Sequence, residues 1–342
     1  MTLTDHLIVP HGGTLVNVLL DEGRATELKA ASRDWPSWHL TERQLVAALA
    51  LSIVTGTGVQ AQELEPRAFT NTPVGLNFLI ASYDYSQGDV LFDPAVPLKD
   101  ANAITHVGTL AYVRSVDVFG RSGKIAIALP YAWLSASALI DGERRKRDVA
   151  GLADPRLRLS VNFFGAPALT FEEFQSYHQD TIVGMSLLIT PPWGQYDATK
   201  LVNIGTNRWS IKPKLGISKA LGRFTLEGAA GAALYSGNTD FWGGATRRQD
   251  PIYFVEAHIL YEFKQGLWGS ADATYYRGGR TAIDGIANDD EQAGWRYGLS
   301  LSIPLDRSNS LKLYGSTGLF ARTGTDFDTV GVAWQYRWGE GL

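Results

Sequence analysis

The last regular stretch of the chain, residues 329–338, alternates strictly between two classes of side chain. One parity carries large apolar and aromatic residues, and the other carries small or polar ones. The two sets are Val330, Val332, Trp334, Tyr336 and Trp338 against Gly331, Ala333, Gln335 and Arg337. Because successive side chains of a strand point to opposite faces, the pattern predicts a β-strand between two different solvents. Three bulky aromatics on the apolar face are typical of a strand that meets lipid at an interfacial girdle.

The composition excludes several classes of protein. The 342 residues contain no cysteine, which excludes a disulfide framework, a thiolate zinc site and a cysteine nucleophile. The net charge is −4, and the one basic cluster, residues 144–147, is too short to indicate a nucleic-acid partner. No apolar run approaches the ~18 residues that a spanning helix needs. A transmembrane barrel would show none, since only every second residue of its strands is apolar.

Segments from residue 76 onward fit transmembrane strands, which need about 9–11 residues when tilted. The candidates are 76–87, 103–116, 124–136, 154–164, 181–190, 208–220, 223–236, 252–263, 267–278, 292–304, 310–321 and 328–338. The predicted fold is therefore all-β, a transmembrane antiparallel up-and-down β-barrel of about 12 strands, of the outer-membrane type.

The links between these candidates alternate in length. Tight turns are predicted around 119–121, 221–222, 264–266 and 305–309, and long loops at 88–102, 137–153, 191–207, 237–251 and 279–291. Short periplasmic turns and long external loops are the outer-membrane pattern, and an even strand count places both chain ends in the periplasm. The periplasmic link 165–180 is an exception. There Thr170 and Glu173 form a capping-box pattern, which predicts a short helix through about Tyr177 at the periplasmic mouth.

Charged residues of the strand candidates are predicted to point into the barrel, because a charge facing lipid at the midplane costs about 2–4 kcal/mol. The candidate lumen residues are Arg114, Lys124, Arg156, Arg158, Arg208, Lys212, Lys214, Glu227, Glu256, His258, Glu262, Asp272, Arg296, Lys312 and Arg337. Two interpretations stay open. The charges pair into a largely closed core, or they line a narrow polar path that attracts small anions or aromatic acids, and the path is slightly favoured.

The region before the barrel divides into two predicted segments. Residues 45–61 combine an apolar run with Arg43 ahead of it and a small-x-small site ending at Ala61. This pattern predicts a secretory signal cleaved after Ala61, with a buried helix as the alternative. Within residues 1–44, the stretches 7–16 and 36–45 resemble the N-terminus of ATP sulfurylase (sulfate adenylyltransferase). The nucleotide-binding motifs of that family have no counterpart in the sequence, so a fused or mis-started reading frame is the preferred explanation. The barrel domain is predicted over 62–342.

Two further resemblances concern the barrel. The spacing of Gly331, Trp334, Tyr336 and Trp338 resembles the C-terminal assembly signal of bacterial outer-membrane barrels, which implies recognition by the barrel-assembly machinery. From about 75 to 338 the chain resembles the outer-membrane family of transporters assigned to the meta-pathway of phenol degradation. The residues that carry this resemblance are 152–155, 190–197, 203–209, 212–214, 249–253, 279–281 and 284–285. The resemblance implies a bacterial outer-membrane location, contact with its lipid and transport of small organic compounds.

The leading functional hypothesis is passive passage of small organic compounds, aromatic ones among them, since no energy-coupling motif is visible. Alternatives are a plugged structural or adhesive barrel, an interfacial lipid-acting enzyme and a soluble β-sandwich. Histidines occur at 6, 11, 39, 106, 178 and 258 without partners at ligand spacing, so no metal site and no cofactor are predicted. His258 shares its parity with Glu256 and Glu262, which favours the lumen wall over a catalytic role on the lipid-facing surface. Oligomeric state is not predicted.

Overall fold

The computed structural model describes residues 64–88, 99–140, 143–319, 327–339 and 341, and its main feature is a closed antiparallel β-barrel. Twelve strands form the wall. They are β1 Asn77–Gly88, β2 Lys99–Val118, β3 Arg121–Ile140, β5 Arg156–Phe164, β6 Thr181–Thr190, β7 Ser210–Leu221, β8 Phe224–Tyr235, β11 Ile252–Lys264, β12 Leu267–Gly278, β15 Gln292–Pro304, β16 Asn309–Leu319 and β17 Phe327–Trp338. β1 pairs with β17 from Asn77 opposite Trp338 to Gly88 opposite Phe327. This pairing closes the wall and removes its edges.

The predicted fold class and strand order are confirmed. Three strands, Thr181–Thr190, Leu267–Gly278 and Gln292–Pro304, have the predicted bounds, and the other ends shift by a few residues. The outward parity carries exposed large apolar side chains, such as Ile125, Ile127 and Leu129 on β3. Apolar residues on the outside of a sheet whose inside is buried are stable only against lipid.

The predicted long loop 137–153 is wrong, because most of it forms strand β4, Glu143–Leu152. β4 pairs with the outer half of β3, from Tyr131 opposite Leu152 to Ile140 opposite Glu143. The charged residues 143–146 are exposed. Neither face of this hairpin arm needs apolar side chains, so the sequence shows no alternation that would indicate a strand. β5 then continues the wall by pairing with residues 123–128 of β3.

Two other predicted outer loops, 237–251 and 279–291, form a second, four-stranded sheet. Its strands are β9 Asn238–Phe241, β10 Ala245–Gln249, β13 Thr281–Ile283 and β14 Ile286–Ala287. Buried Phe241 packs with Leu201, Ala245 and Ile283, which joins this outer sheet to the link 191–209. The outer links therefore form a folded layer.

The predicted capping box is present in the periplasmic link. The Glu173 backbone N–H donates to Thr170 Oγ1 at 3.3 Å, and the Thr170 N–H donates to Glu173 Oε2 at 2.8 Å. The helix α1 covers Phe171–Phe174, and single turns continue to Tyr177. Among the described residues, no helix has the length and apolar character that a membrane span requires.

Candidate functional site: the barrel lumen

Most of the predicted lumen residues lie on the inward-facing parity of the wall. Lys124 and Glu262 are half-buried near the periplasmic end. The buried members are Arg156, Arg158, Arg208, Lys212, Lys214, Glu227, Glu256, His258, Asp272, Arg296, Lys312 and Arg337. These residues concentrate on β5 to β17, so the charged side of the lumen is one continuous part of the wall.

Arg114 is the exception, and its predicted inward position is wrong. It is exposed and shares its parity with Leu110 and Tyr112 on the outer surface, where its Nη1 donates to Asn77 Oδ1 at 3.2 Å. Arg114 lies near the periplasmic end of β2, where the cost of a charge facing the membrane falls to about 0–1 kcal/mol. The inner face of β2 instead carries Ala111 and Val113.

Residues 64–74 precede the first strand and run inside the barrel. Glu65 is 3% exposed and forms ion pairs with Arg158 and Lys214. Lys214 Nζ also lies 3.0 Å from Glu256 Oε2. The cations of β5 and β7 are thus neutralised partly by the chain's own N-terminal segment. Nothing in the sequence marks Glu65 as a lumen residue, because a residue ahead of the first strand belongs to no alternating pattern.

Phe69 anchors the same segment in a niche made by two glycines. Gly184 and Gly216 are opposite each other on β6 and β7. A Cβ atom at Gly216 would lie 2.1 Å from the Phe69 ring, and one at Gly184 would lie 2.6 Å from it. Asn162 Nδ2 donates to the Phe69 carbonyl at 2.9 Å, and Lys124 Nζ donates to the Thr70 carbonyl at 3.0 Å. The Phe69 ring therefore occupies the space that side chains at positions 184 and 216 would otherwise fill.

Two further inserts narrow the lumen at its ends. At the periplasmic end, Phe171 and Phe174 of α1 pack against a buried cluster that includes Leu76 and Phe78. At the outer end, the Asp154 carboxylate accepts hydrogen bonds from the Gly194 N–H at 2.8 Å and from the Thr206 N–H at 2.8 Å. These bonds hold the link 191–209 over the barrel. A carboxylate that accepts several backbone N–H groups makes a strong, oriented contact.

The inner face of β3 carries an apolar stripe of mostly small side chains, and the inner face of β2 adds apolar residues to it that alternate with buried Thr105 and Thr109. Its members lie in three buried clusters stacked along the strands, which are Ala111, Val113, Ala126 and Ala128, then Val107 and Ala132, then Ala103, Leu134 and Ala136. The ten-residue interval from Ala126 to Ala136 extends about 34 Å along a strand, at about 3.4 Å per residue. The outer part of this interval, Ala132 to Ala136, lies where β3 pairs with β4 in the hairpin arm. The lumen is therefore charged on one side and apolar on the other.

The comparison with known proteins agrees with this architecture. A family described as "Putative MetA-pathway of phenol degradation" matches residues 67–334. The chain belongs to this family. The predicted family and the predicted outer-membrane location are confirmed, and a barrel in that membrane contacts its lipid.

A solved outer-membrane channel has a similar fold. The COG4313 outer membrane channel from Pseudomonas putida F1 is 20% identical, with a TM-score of 0.67 over 81% of this chain and 100% of that one. The β domain of the Bordetella autotransporter BrkA is 10% identical, with a TM-score of 0.45 over 77% and 100%. The CymD monoaromatic hydrocarbon channel is 9% identical, with a TM-score of 0.35 over 78% and 89%. No curated protein sequence matches the chain.

The predictions for the region before the barrel fall on residues that the structure does not describe. The extension 1–44, the signal segment 45–61 and the cleavage at Ala61 all lie outside the described residues. No comparison supports the resemblance to ATP sulfurylase. Among the described residues, no group of three or more His, Asp or Glu side chains could hold a metal ion.

Proposed function

We propose that the barrel is a passive outer-membrane conduit for small organic compounds, aromatic ones among them, which move along the apolar stripe. The observation that carries the proposal is the continuity of this stripe from the periplasmic cluster to the outer cluster. Small apolar side chains line that side of the lumen, and removing apolar surface from water favours the entry of an apolar solute by about 25 cal/mol per Å². The family description, with its reference to phenol degradation, supports the same class of solute.

The stripe provides the test. A tryptophan in place of Ala128, which is buried and faces inward, fills the stripe in its periplasmic cluster. The same substitution at the neighbouring Ile127, which faces lipid, is the control. In intact cells carrying the barrel, uptake of the apolar probe N-phenyl-1-naphthylamine is expected to fall to the empty-vector rate for Ala128→Trp and to stay unchanged for Ile127→Trp. Equal uptake in cells with and without the barrel would overturn the proposal.

A second candidate is a structural or adhesive barrel whose lumen is permanently filled. Its function would then lie in the hairpin arm and the outer sheet. The ion pairs of Glu65 with Arg158 and Lys214 favour it, because they hold residues 64–74 inside the wall. Replacing Arg156, Arg158, Lys212 and Lys214 with neutral residues distinguishes the two. A conduit stays folded and changes its ion selectivity in single-channel recording, whereas a filled structural barrel loses its heat resistance on a semi-native gel.

The proposal includes no catalytic step. His258 is 3% exposed and faces the lumen, with its Nδ1 2.8 Å from Asp272 Oδ1, so it gives no support to an enzyme acting on membrane lipid.

The C-terminal strand, with Gly331, Trp334, Tyr336 and Trp338, is proposed as the segment that engages the barrel-assembly machinery. On its outward face the rings of Trp334 and Tyr336 stack with centroids 6.3 Å apart, and those of Tyr336 and Trp338 stack at 5.6 Å. The three rings form a continuous apolar surface that is available during insertion.

A further inference from the structure

The outward face of β3 changes its chemistry once along the strand. Its exposed residues, taken from the periplasmic side toward the outside, are Ile125, Ile127, Leu129, Tyr131 and Trp133. The next two outward positions are Ser135 and Ser137, which are half-buried. A change from aliphatic through aromatic to polar side chains marks the outer limit of a membrane's apolar band. The apolar band therefore ends at about the level of Trp133.

An aromatic belt fixes this limit on three neighbouring strands. The ring centroids of Tyr131 and Trp133 lie 4.7 Å apart. Trp133 is opposite His106 of β2, whose ring centroid lies 5.3 Å from that of Tyr85 on β1. The Tyr83 hydroxyl is 2.6 Å from His106 Nδ1. Amphipathic rings of this kind prefer the boundary between lipid and water, so the belt marks that boundary on this side of the barrel.

The hairpin arm continues directly above the aromatic belt, and β4 changes its chemistry at the same level. Its outward residues Leu152 and Ala150 lie opposite the two aromatic residues of β3. The outward residues beyond them are exposed and charged, and they are Asp148, Lys146 and Arg144. Lys146 lies opposite Ser137, about 14 Å along the strand from Trp133 and about 10 Å higher at the usual tilt. Long cationic side chains extend toward an interface, so this face meets the lipid headgroups.

The cations on the other face of the arm already have anions beside them. Arg145 Nη2 lies 3.2 Å from Glu143 Oε2. Arg147 attracts the Asp197 carboxylate of the link 191–209. The basic run 144–147 is therefore divided between two faces of the arm, and the inward half of it is neutralised by the chain itself.

The outward cations have no such anion within the described part of the chain. Arg144 Nη1 donates to Ser137 Oγ at 3.4 Å, and Lys146 forms no ion pair there. Asp148 lies between Lys146 and the aromatic belt, on the same face. Two cations against one carboxylate leave this face positively charged directly above the apolar band.

We propose that the outward face of the hairpin arm, together with the aromatic belt, binds an outer-leaflet glycolipid through the phosphate groups on its sugar headgroup. Arg144 and Lys146 pair with the phosphates, and the acyl chains lie against Ile127 and Leu129 below the belt. Guanidinium and ammonium groups bind phosphate strongly, and cations near an anionic membrane surface are attracted to it. A free phosphate ion would gain nothing from the apolar residues, so the juxtaposition favours a lipid. Lipid A, the glycolipid of the bacterial outer leaflet, combines both parts.

Native mass spectrometry of the purified, detergent-solubilised barrel, in a buffer without divalent cations, tests this binding. The probes are lipid A with its phosphates and lipid A from which the phosphates have been removed. Arg144→Gln and Lys146→Gln are each expected to weaken binding of phosphorylated lipid A about fivefold, and the double variant about thirtyfold, as expected for cations at an anionic membrane surface. Binding of the dephosphorylated lipid should not change in any of the three.

The matched control is Arg145→Gln, which removes the same charge from the same strand on its other face. It should leave both affinities unchanged, because its side chain points away from the lipid. Asp148→Asn should strengthen binding of phosphorylated lipid A, because it removes a charge of the same sign as phosphate. A heat-modifiable band on semi-native gels confirms that each variant is folded.

Several results would overturn the proposal. They are equal wild-type affinity for the two lipids, unchanged affinity in the double variant, or an equal loss in Arg145→Gln. Displacement of lipid A by inorganic phosphate would also overturn it, because the occupant would then be a free anion. None of these outcomes depends on uptake of N-phenyl-1-naphthylamine, so lipid binding and passage through the lumen are tested separately.

Discussion

At the scale of single residues, Gly216 decides whether the N-terminal segment stays in the lumen. A methyl group there would lie 2.1 Å from the Phe69 ring, so Gly216→Ala must displace that ring. The wall itself is unaffected, since alanine fits a strand. We expect a folded barrel with a several-fold higher single-channel conductance. The control is Gly228→Ala on the adjacent strand, where the nearest atoms to an added Cβ lie at 3.9 Å, an ordinary contact distance. Unchanged conductance in Gly216→Ala would contradict the anchoring role of Phe69.

Asp306 makes the β15–β16 turn sensitive to acid. The Ser308 N–H donates to its carboxylate at 2.7 Å, and this bond, aided by Asn309, holds the pKa of Asp306 below its ordinary value. A lowered pKa contributes stability at every pH above the unfolded value of about 3.9 and loses it as pH falls through the folded value. We expect Asp306→Asn to be less heat-resistant at neutral pH and flatter in its acid response than wild type. The measurement is the temperature at which the folded band disappears on semi-native gels at a series of acidic pH values. Parallel pH curves would contradict it.

At the scale of elements, β17 acts as the closing strand of the wall. Twelve residues of β17 pair with β1, and the Trp338 ring lies 5.6 Å from Tyr336 and 6.1 Å from Tyr112. We expect Trp338→Ala to reduce the amount of folded barrel in outer membranes several-fold, because it removes the last ring of this ladder. Removing residues 339–342, which follow the strand, should leave insertion possible. Loss of insertion on that truncation, with Trp338→Ala normal, would overturn the assignment of the assembly signal.

The elements also show where sequence patterns lose their meaning. In the wall, lipid on one side and a polar or packed interior on the other maintain the alternation, so the strand bounds of β6, β12 and β15 are readable. In the arm formed by β3 and β4, residues 143–146 are exposed on both parities. At these four residues backbone pairing maintains the strand, and their side chains show no period that would reveal it. The outer sheet within residues 237–291 is concealed for another reason: its strands have only two to five residues, too few for a period to show.

At the scale of the whole molecule, Glu65 connects the N-terminal segment to strands β5 and β7 of the wall. Removing one partner of a buried ion pair typically costs about 3–5 kcal/mol. We expect Glu65→Gln to release residues 64–74, to increase conductance and to leave the heat-modifiable band in place, because wall pairing does not involve this segment. The control is Glu291→Gln, which removes an ion pair with exposed Arg277 at the outer end. Equal conductance in the two variants would show that Glu65 does not hold the segment.

The sequence by itself determined the barrel, its strand order, its membrane environment and the inward position of most charges. It could do so because lipid imposes one rule on every strand, and a violation at mid-depth is costly. Arg114 faces outward only near the periplasmic end of β2, where the cost of a charge facing the membrane falls to about 0–1 kcal/mol. The tertiary structure alone decided what fills the barrel. Glu65 and Phe69 enter it, α1 narrows its periplasmic end and Asp154 holds the outer link, through contacts between residues far apart in the chain. Such contacts obey no local period, so only the folded chain could reveal them.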